Sequence, residues 1–149
     1  MAIVEAVGMG LAAGAIGTVV LTLAENAEMR LTGREASTFP GQVGAKLAGR
    51  DPDADPDLVA RLNPIVHWVH GTSLGAVRGL LDLAGLGPLA ATVLFAPLVW
   101  GGDALLYRTL GLAPVPWKWE RRELLTDLYG KGIFALATSG AYILLDSAL

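Results

Sequence analysis

The sequence of 149 residues contains no cysteine. Disulfides, thiolate metal sites, iron–sulfur clusters and a cysteine nucleophile are therefore excluded. It is also short of charge. Charged residues make up 17% of the chain, against about 25% in average soluble proteins. Eleven Lys and Arg stand against 14 Asp and Glu, a net charge of −3. Without a basic surplus to neutralise phosphates, nucleic acid is not expected as a partner. Of Ser37, Ser73, Ser139 and Ser147, only Ser73 has Gly-x-Ser-x-Gly spacing, as Gly71-Thr-Ser-Leu-Gly75. It lies within an apolar helical run and not at the strand-to-helix turn that a nucleophile elbow needs, and no phosphate-binding glycine loop occurs. No enzyme class is legible, and a non-enzymatic protein is expected. What the chain does have is apolar bulk: 53% of residues are hydrophobic and the mean hydropathy is +0.51. That composition belongs to a membrane protein.

The charges are unevenly spread. Ala6–Ala24 and Leu83–Gly102 carry none. About 20 apolar residues in a helix cross the hydrocarbon core of a bilayer, so both stretches are predicted spans. Pro64–Leu83 holds His67, His70, Arg78 and Asp82, and Leu124–Leu145 holds Asp127 and Lys131; both are apolar enough elsewhere to be predicted as further spans. The expected architecture is all-α: one integral membrane domain over 1–149, a four-transmembrane-helix bundle with helices near 4–27, 64–85, 87–108 and 123–147. The first basic residue is Arg30. The first helix therefore lacks the positive flank of a cleaved signal peptide and is expected to be retained.

Nine of the 11 basic residues lie in two connections. Arg30, Arg34, Lys46, Arg50 and Arg61 separate helices one and two; Arg108, Lys118, Arg121 and Arg122 separate helices three and four. The positive-inside rule makes that side cytoplasmic and both termini extracytoplasmic, in a plasma (inner) membrane. Trp68, Trp100, Trp117 and Trp119 cluster toward the same side, as an aromatic belt does.

The connection over 30–63 is predicted to hold short helices. Ser37 or Thr38 precedes Pro40 as a cap, and Asp55-Pro56 caps a helix over Asp57–Leu62. The alternating aspartates of Asp51–Asp57 lack the Gly and Glu of a calcium loop and read as a solvated turn. The second long connection, Gly111–Glu123, is expected to be extended by its prolines and to rest its Trp-Lys-Trp and Arg-Arg groups in the lipid headgroup layer.

Helical periodicity sorts the polar groups. On helix two, His67, His70, Arg78 and Asp82 fall within one arc of about 120°. Gly71, Gly75 and Gly79 run beside it, and Gly10-x-x-x-Gly14 lies on helix one. Such spacing admits a close helix partner, and helices one and two are expected to pack through these glycines. Asp127 and Lys131 are four apart, acid first, the favourable order for an ion pair. Asp103 and Tyr107 share one face of helix three. All four helices thus bring ionisable groups toward the inner side: Glu25, Glu28, His67, His70, Asp103, Asp127 and Lys131. Arg78, Asp82, Glu5 and Asp146 form an outer group.

Three readings of the inner cluster are open. It can be a self-satisfied network of hydrogen bonds and ion pairs. It can line a path for protons or a small solute in an oligomer. It can be a metal site, with His67, His70, Glu25, Glu28 and Asp103 as ligands, or a haem site shared between protomers. The residues identify no particular cofactor. The bilayer is one expected partner; a second copy or a larger membrane complex is the other.

Gly14-x-x-Gly17-Thr18, the stretch Leu31–Pro40 and His70-Gly71-x-x-x-Gly75 resemble small bacterial inner-membrane proteins of the YagU-like kind. The resemblance implies a multi-helix membrane fold and carries over no functional residue.

Overall fold

The computed structural model describes residues 2–148. It contains α1 (Ile3–Thr32), α2 (Phe39–Leu47), α3 (Pro56–Leu83), α4 (Pro88–Thr109) and α5 (Arg121–Ala148), with one 3-10 turn at Pro116–Lys118. No strand occurs among the described residues. α1, α4 and α5 are long and apolar enough to cross a membrane. α3, expected as another span, is 28 residues long, about 42 Å at 1.5 Å per residue. It is not among the helices that qualify by composition, because its ionisable residues dilute the apolar run.

α3 contacts all four other helices, which gives its ionisable residues protein to face. Its closest partner is α1, through the expected glycines. A Cβ on Gly14 would lie 2.6 Å from the Thr72 carbonyl oxygen, and one on Gly75 would run into the Gly10 carbonyl. Only hydrogen fits at these positions, so the two backbones touch. The pairing of Gly10 with Gly75, and of Gly14 with Gly71, makes the helices antiparallel. The 33–55 and 110–120 connections therefore share one end of the bundle, called here the loop end. Farther along, α4 and α5 join through Phe95 and Phe134, whose ring centroids are 6.1 Å apart, with Val99 and Ala135 buried beside them.

Two local expectations are corrected. The separate short helix expected at Asp57–Leu62 is the first part of α3, which runs unbroken through Pro64. Proline at position 64 removes one hydrogen bond, to the carbonyl of Ala60. Ala60 is exposed at the loop end, where water can take that bond. The expected cap of this helix is in place: Asp55 Oδ1 accepts from the Leu58 amide at 3.1 Å. The Gly111–Glu123 connection is not wholly extended. Pro116, whose fixed φ suits the first position of a helix, starts the 3-10 turn.

α2 is held from outside. Thr38 stands at its N-cap, but no side-chain hydrogen bond caps the helix there. Instead, the Gly41 amide donates to Asn63 Oδ1 of α3 at 2.8 Å. Asn63 Nδ2 in turn donates to the Ser37 carbonyl at 3.0 Å. The expected cap is thus shared: Ser37 Oγ accepts from the Phe39 amide at 3.3 Å, Thr38 makes no cap bond, and Asn63 of a neighbouring helix takes the Gly41 amide. α2 then turns Gly41, Val43 and Ala45 inward.

Candidate functional site

Asp103 is the centre of the polar interior. It lies on α4, is 3% exposed, and has a partner on each oxygen. His70 Nε2 of α3 is 2.6 Å from Oδ1, and Lys131 Nζ of α5 is 2.5 Å from Oδ2. A carboxylate can only accept, so both nitrogens donate. Charge-assisted bonds of this kind are the stronger class. Lys131 also lies 3.9 Å from Asp127 Oδ1 and 5.8 Å from the centroid of the Tyr107 ring. His70, Asp103, Lys131 and Asp127 thus form one chain of contacts across three helices.

His67 is held separately. Its Nε2 is 3.0 Å from Thr22 Oγ1, and the Thr22 hydroxyl donates to the Thr18 carbonyl at 2.7 Å. A hydroxyl has one hydrogen. With that hydrogen given to Thr18, the imidazole is the donor to Thr22, which fixes its tautomer.

A cavity of about 70 Å³ lies beside these groups. Thr18, His67, His70, Asp103, Tyr107 and Lys131 line it, together with Pro40 and Val43 of α2. It has room for a few water-sized molecules and not for a drug-sized ligand. A second cleft of about 340 Å³ lies at the loop end, between Phe39, the end of α4, the 3-10 turn and the start of α5. Tyr107 lines both. Its ring stacks on Phe39, centroids 4.8 Å apart.

The residues weighed as metal ligands do not converge. Among the described residues, no group of three or more His, Asp or Glu is placed to hold a metal ion. Glu28 pairs with Arg34 at 2.7 Å. The Glu25 carboxylate lies over Gly130, where an added Cβ would be 3.5 Å away. His67 is engaged by Thr22, and Asp103 already has an ammonium against it. In the outer group, Arg78 is fully buried. It stands 3.9 Å from Asp82 and 4.6 Å over the Tyr142 ring. Glu5 bonds the Ala2 amide at 2.9 Å and stays apart.

Sequence reasoning gathered His70, Asp103, Lys131 and Asp127 at one level. It paired Lys131 with Asp127, whereas the nearer carboxylate is Asp103. It missed Thr18 and Thr22, although Thr18, Thr22 and Glu25 recur at helical spacing on α1. It also missed α2 as a wall of the cavity.

No known protein family, no curated protein and no solved structure matches the chain. The class therefore rests on the fold: an all-helical chain whose three long apolar helices are compatible with a membrane protein.

Proposed function

We propose that this is an integral membrane protein of four spans, with α3 as the fourth. It is read as non-enzymatic: an accessory subunit that packs with a second copy or with a larger partner in a bacterial inner membrane. The observation that carries this reading is the self-satisfied polar cluster. Asp103, His70 and Lys131 satisfy one another within a single chain, and the cavity beside them is too small for a solute larger than a few waters. Such a cluster is a way to hold polar helices together at depth. The outward surface is apolar, with Val93, Leu105 and Leu136 each about two-thirds exposed, which suits lipid or a neighbouring span. The basic residues of the two connections favour the loop end as the cytoplasmic side and both termini as extracytoplasmic.

The test is cross-linking in native membranes, followed by gentle extraction and sizing. A discrete complex larger than one chain is expected. A monomer in intact membranes would count against the reading. Reporter fusions at both termini check the topology; termini on opposite sides would remove α3 as a span.

A second reading is favoured by one observation: the ring of Tyr107 stands between the two cavities, next to the contacts from Asp127 to His70. That arrangement suits a path for protons or a small solute. Flux in liposomes that is lost in Asp103→Asn would support it, and equal flux in both proteins would sink it.

A further inference from the structure

The loop-end cleft has a chemistry the interior lacks. Phe39, Tyr107 and Trp119 stand in its walls. The Trp119 indole N–H is taken by the Pro114 carbonyl at 2.7 Å, so the residue offers the cleft its ring rather than its donor. Leu112, Ala113 and Pro114 continue the apolar lining. Against these stand three carboxylates, Glu120, Glu123 and Asp127, and one ammonium, Lys118. The lining side chains carry a formal excess of two negative charges, three minus one. Asp127 shares its charge with Lys131, 3.9 Å away, which leaves Glu120 and Glu123 as the carboxylates open to a ligand. The volume, about 340 Å³, is within the range of small-molecule pockets, about 300–1,000 Å³.

Aromatic faces and negative charge both attract cations. Which cation is decided by how the carboxylates are spread. A metal ion needs ligands converging at short distances, and no such group exists among the described residues. A diffuse positive charge on an apolar body needs no convergence. It gains from ring faces, from apolar walls and from carboxylates a few ångströms away. The geometry points to a binding site for an organic monocation, an amine or quaternary ammonium bearing an alkyl or aryl group, in the cleft between Phe39, Trp119 and Glu123. This goes beyond the subunit reading and does not depend on it.

The probe is benzyltrimethylammonium, titrated by calorimetry into the full-length protein in nanodiscs. Its uncharged carbon isostere, neopentylbenzene, is titrated in parallel. Saturable binding of one cation per chain is expected, with the isostere weaker by about tenfold or more. Glu120 and Glu123 are exposed, so Glu120→Gln/Glu123→Gln should fold normally. It should weaken the cation by about tenfold. Phe39→Leu keeps apolar bulk but loses the ring, and should weaken it by about threefold. Asp51→Asn/Asp53→Asn removes the same charge in the remote turn and should change nothing. Equal binding of cation and isostere would overturn the proposal, since apolar partition would then explain the signal. So would affinity unchanged in both cleft variants, or no saturable binding to folded protein.

Discussion

Asp103 and Lys131 meet across the α4–α5 interface with the ammonium directly against Oδ2, while the i,i+4 partner of Lys131, Asp127, is 3.9 Å away. A contact between helices has displaced the one available within a helix. Asp103 is buried at 3% exposure, so its charge depends on His70 and Lys131. Asp127 is only partly buried and can share its charge with solvent at the loop end. The ammonium therefore goes where the carboxylate most needs it.

Breaking that pair from one side should be costly. Asp103→Asn leaves Lys131 with only the distant Asp127, and Lys131→Met leaves Asp103 with only His70. Each should lose about 3 kcal/mol of stability. Removing both together should cost less than the sum by about 1–3 kcal/mol, because no charge is then stranded. Reversible unfolding in mixed micelles measures the cycle; strictly additive losses would mean that the pair is not coupled.

The α1–α3 seam predicts a contrast among glycines. Gly75→Ala puts a methyl group into the Gly10 carbonyl, and the helices must separate, at a cost of about 1–3 kcal/mol. Gly101→Ala on α4 meets nothing within 4 Å and should gain about 0.5–1 kcal/mol from the lower entropy of the unfolded chain. Thermal unfolding of the two variants should move in opposite directions. If Gly75→Ala behaves like Gly101→Ala, the backbones are not in contact.

Legibility in the sequence followed the range of each interaction. The seam was readable because Gly10-x-x-x-Gly14 and Gly71, Gly75, Gly79 mark faces through helical spacing alone. The start of α3 was readable because Asp55-Pro56 caps locally. The break expected at Pro64 failed because a missing amide is harmless where the freed carbonyl meets water. His67 and His70 could be placed on one face, but their separate fates, Thr22 for one and Asp103 for the other, depend on how α1 and α4 flank α3. Nothing in the neighbours of Lys131 ranks Asp103 above Asp127. The docking of α2 was unreadable for the same reason: its cap, Asn63, is 22 residues from Gly41.

That cap makes a prediction of its own. Asn63→Ala removes both the acceptor for Gly41 and the donor to Ser37, and should loosen α2 by about 1–2 kcal/mol. Asn63→Asp keeps the acceptor and loses the donor, so it should fall between. Hydrogen exchange over 39–47 should quicken in that order, with the long helices α1, α4 and α5 unaffected. Unchanged protection in Asn63→Ala would show that packing of Val43 and Ala45, and not the cap, holds α2.

Arg78 tests whether a buried charge is kept for stability. Its side chain is fully buried and none of its three nitrogens makes a hydrogen bond; it rests on the Tyr142 ring and the distant Asp82. An ion pair with such loose geometry repays little of its desolvation. Arg78→Met, similar in volume and uncharged, should therefore match the parent or exceed it by about 1–4 kcal/mol. Asp82, still partly exposed, can take water in place of the guanidinium. Arg78→Ala removes the packing as well and should lose about 2 kcal/mol or more to the cavity it leaves. Unfolding of both variants in one detergent separates charge from volume. If Met destabilises as much as Ala, the charge itself holds the outer half of the bundle together. If Met is neutral, the fold does not require the arginine, and its retention would have to be explained by what the protein does.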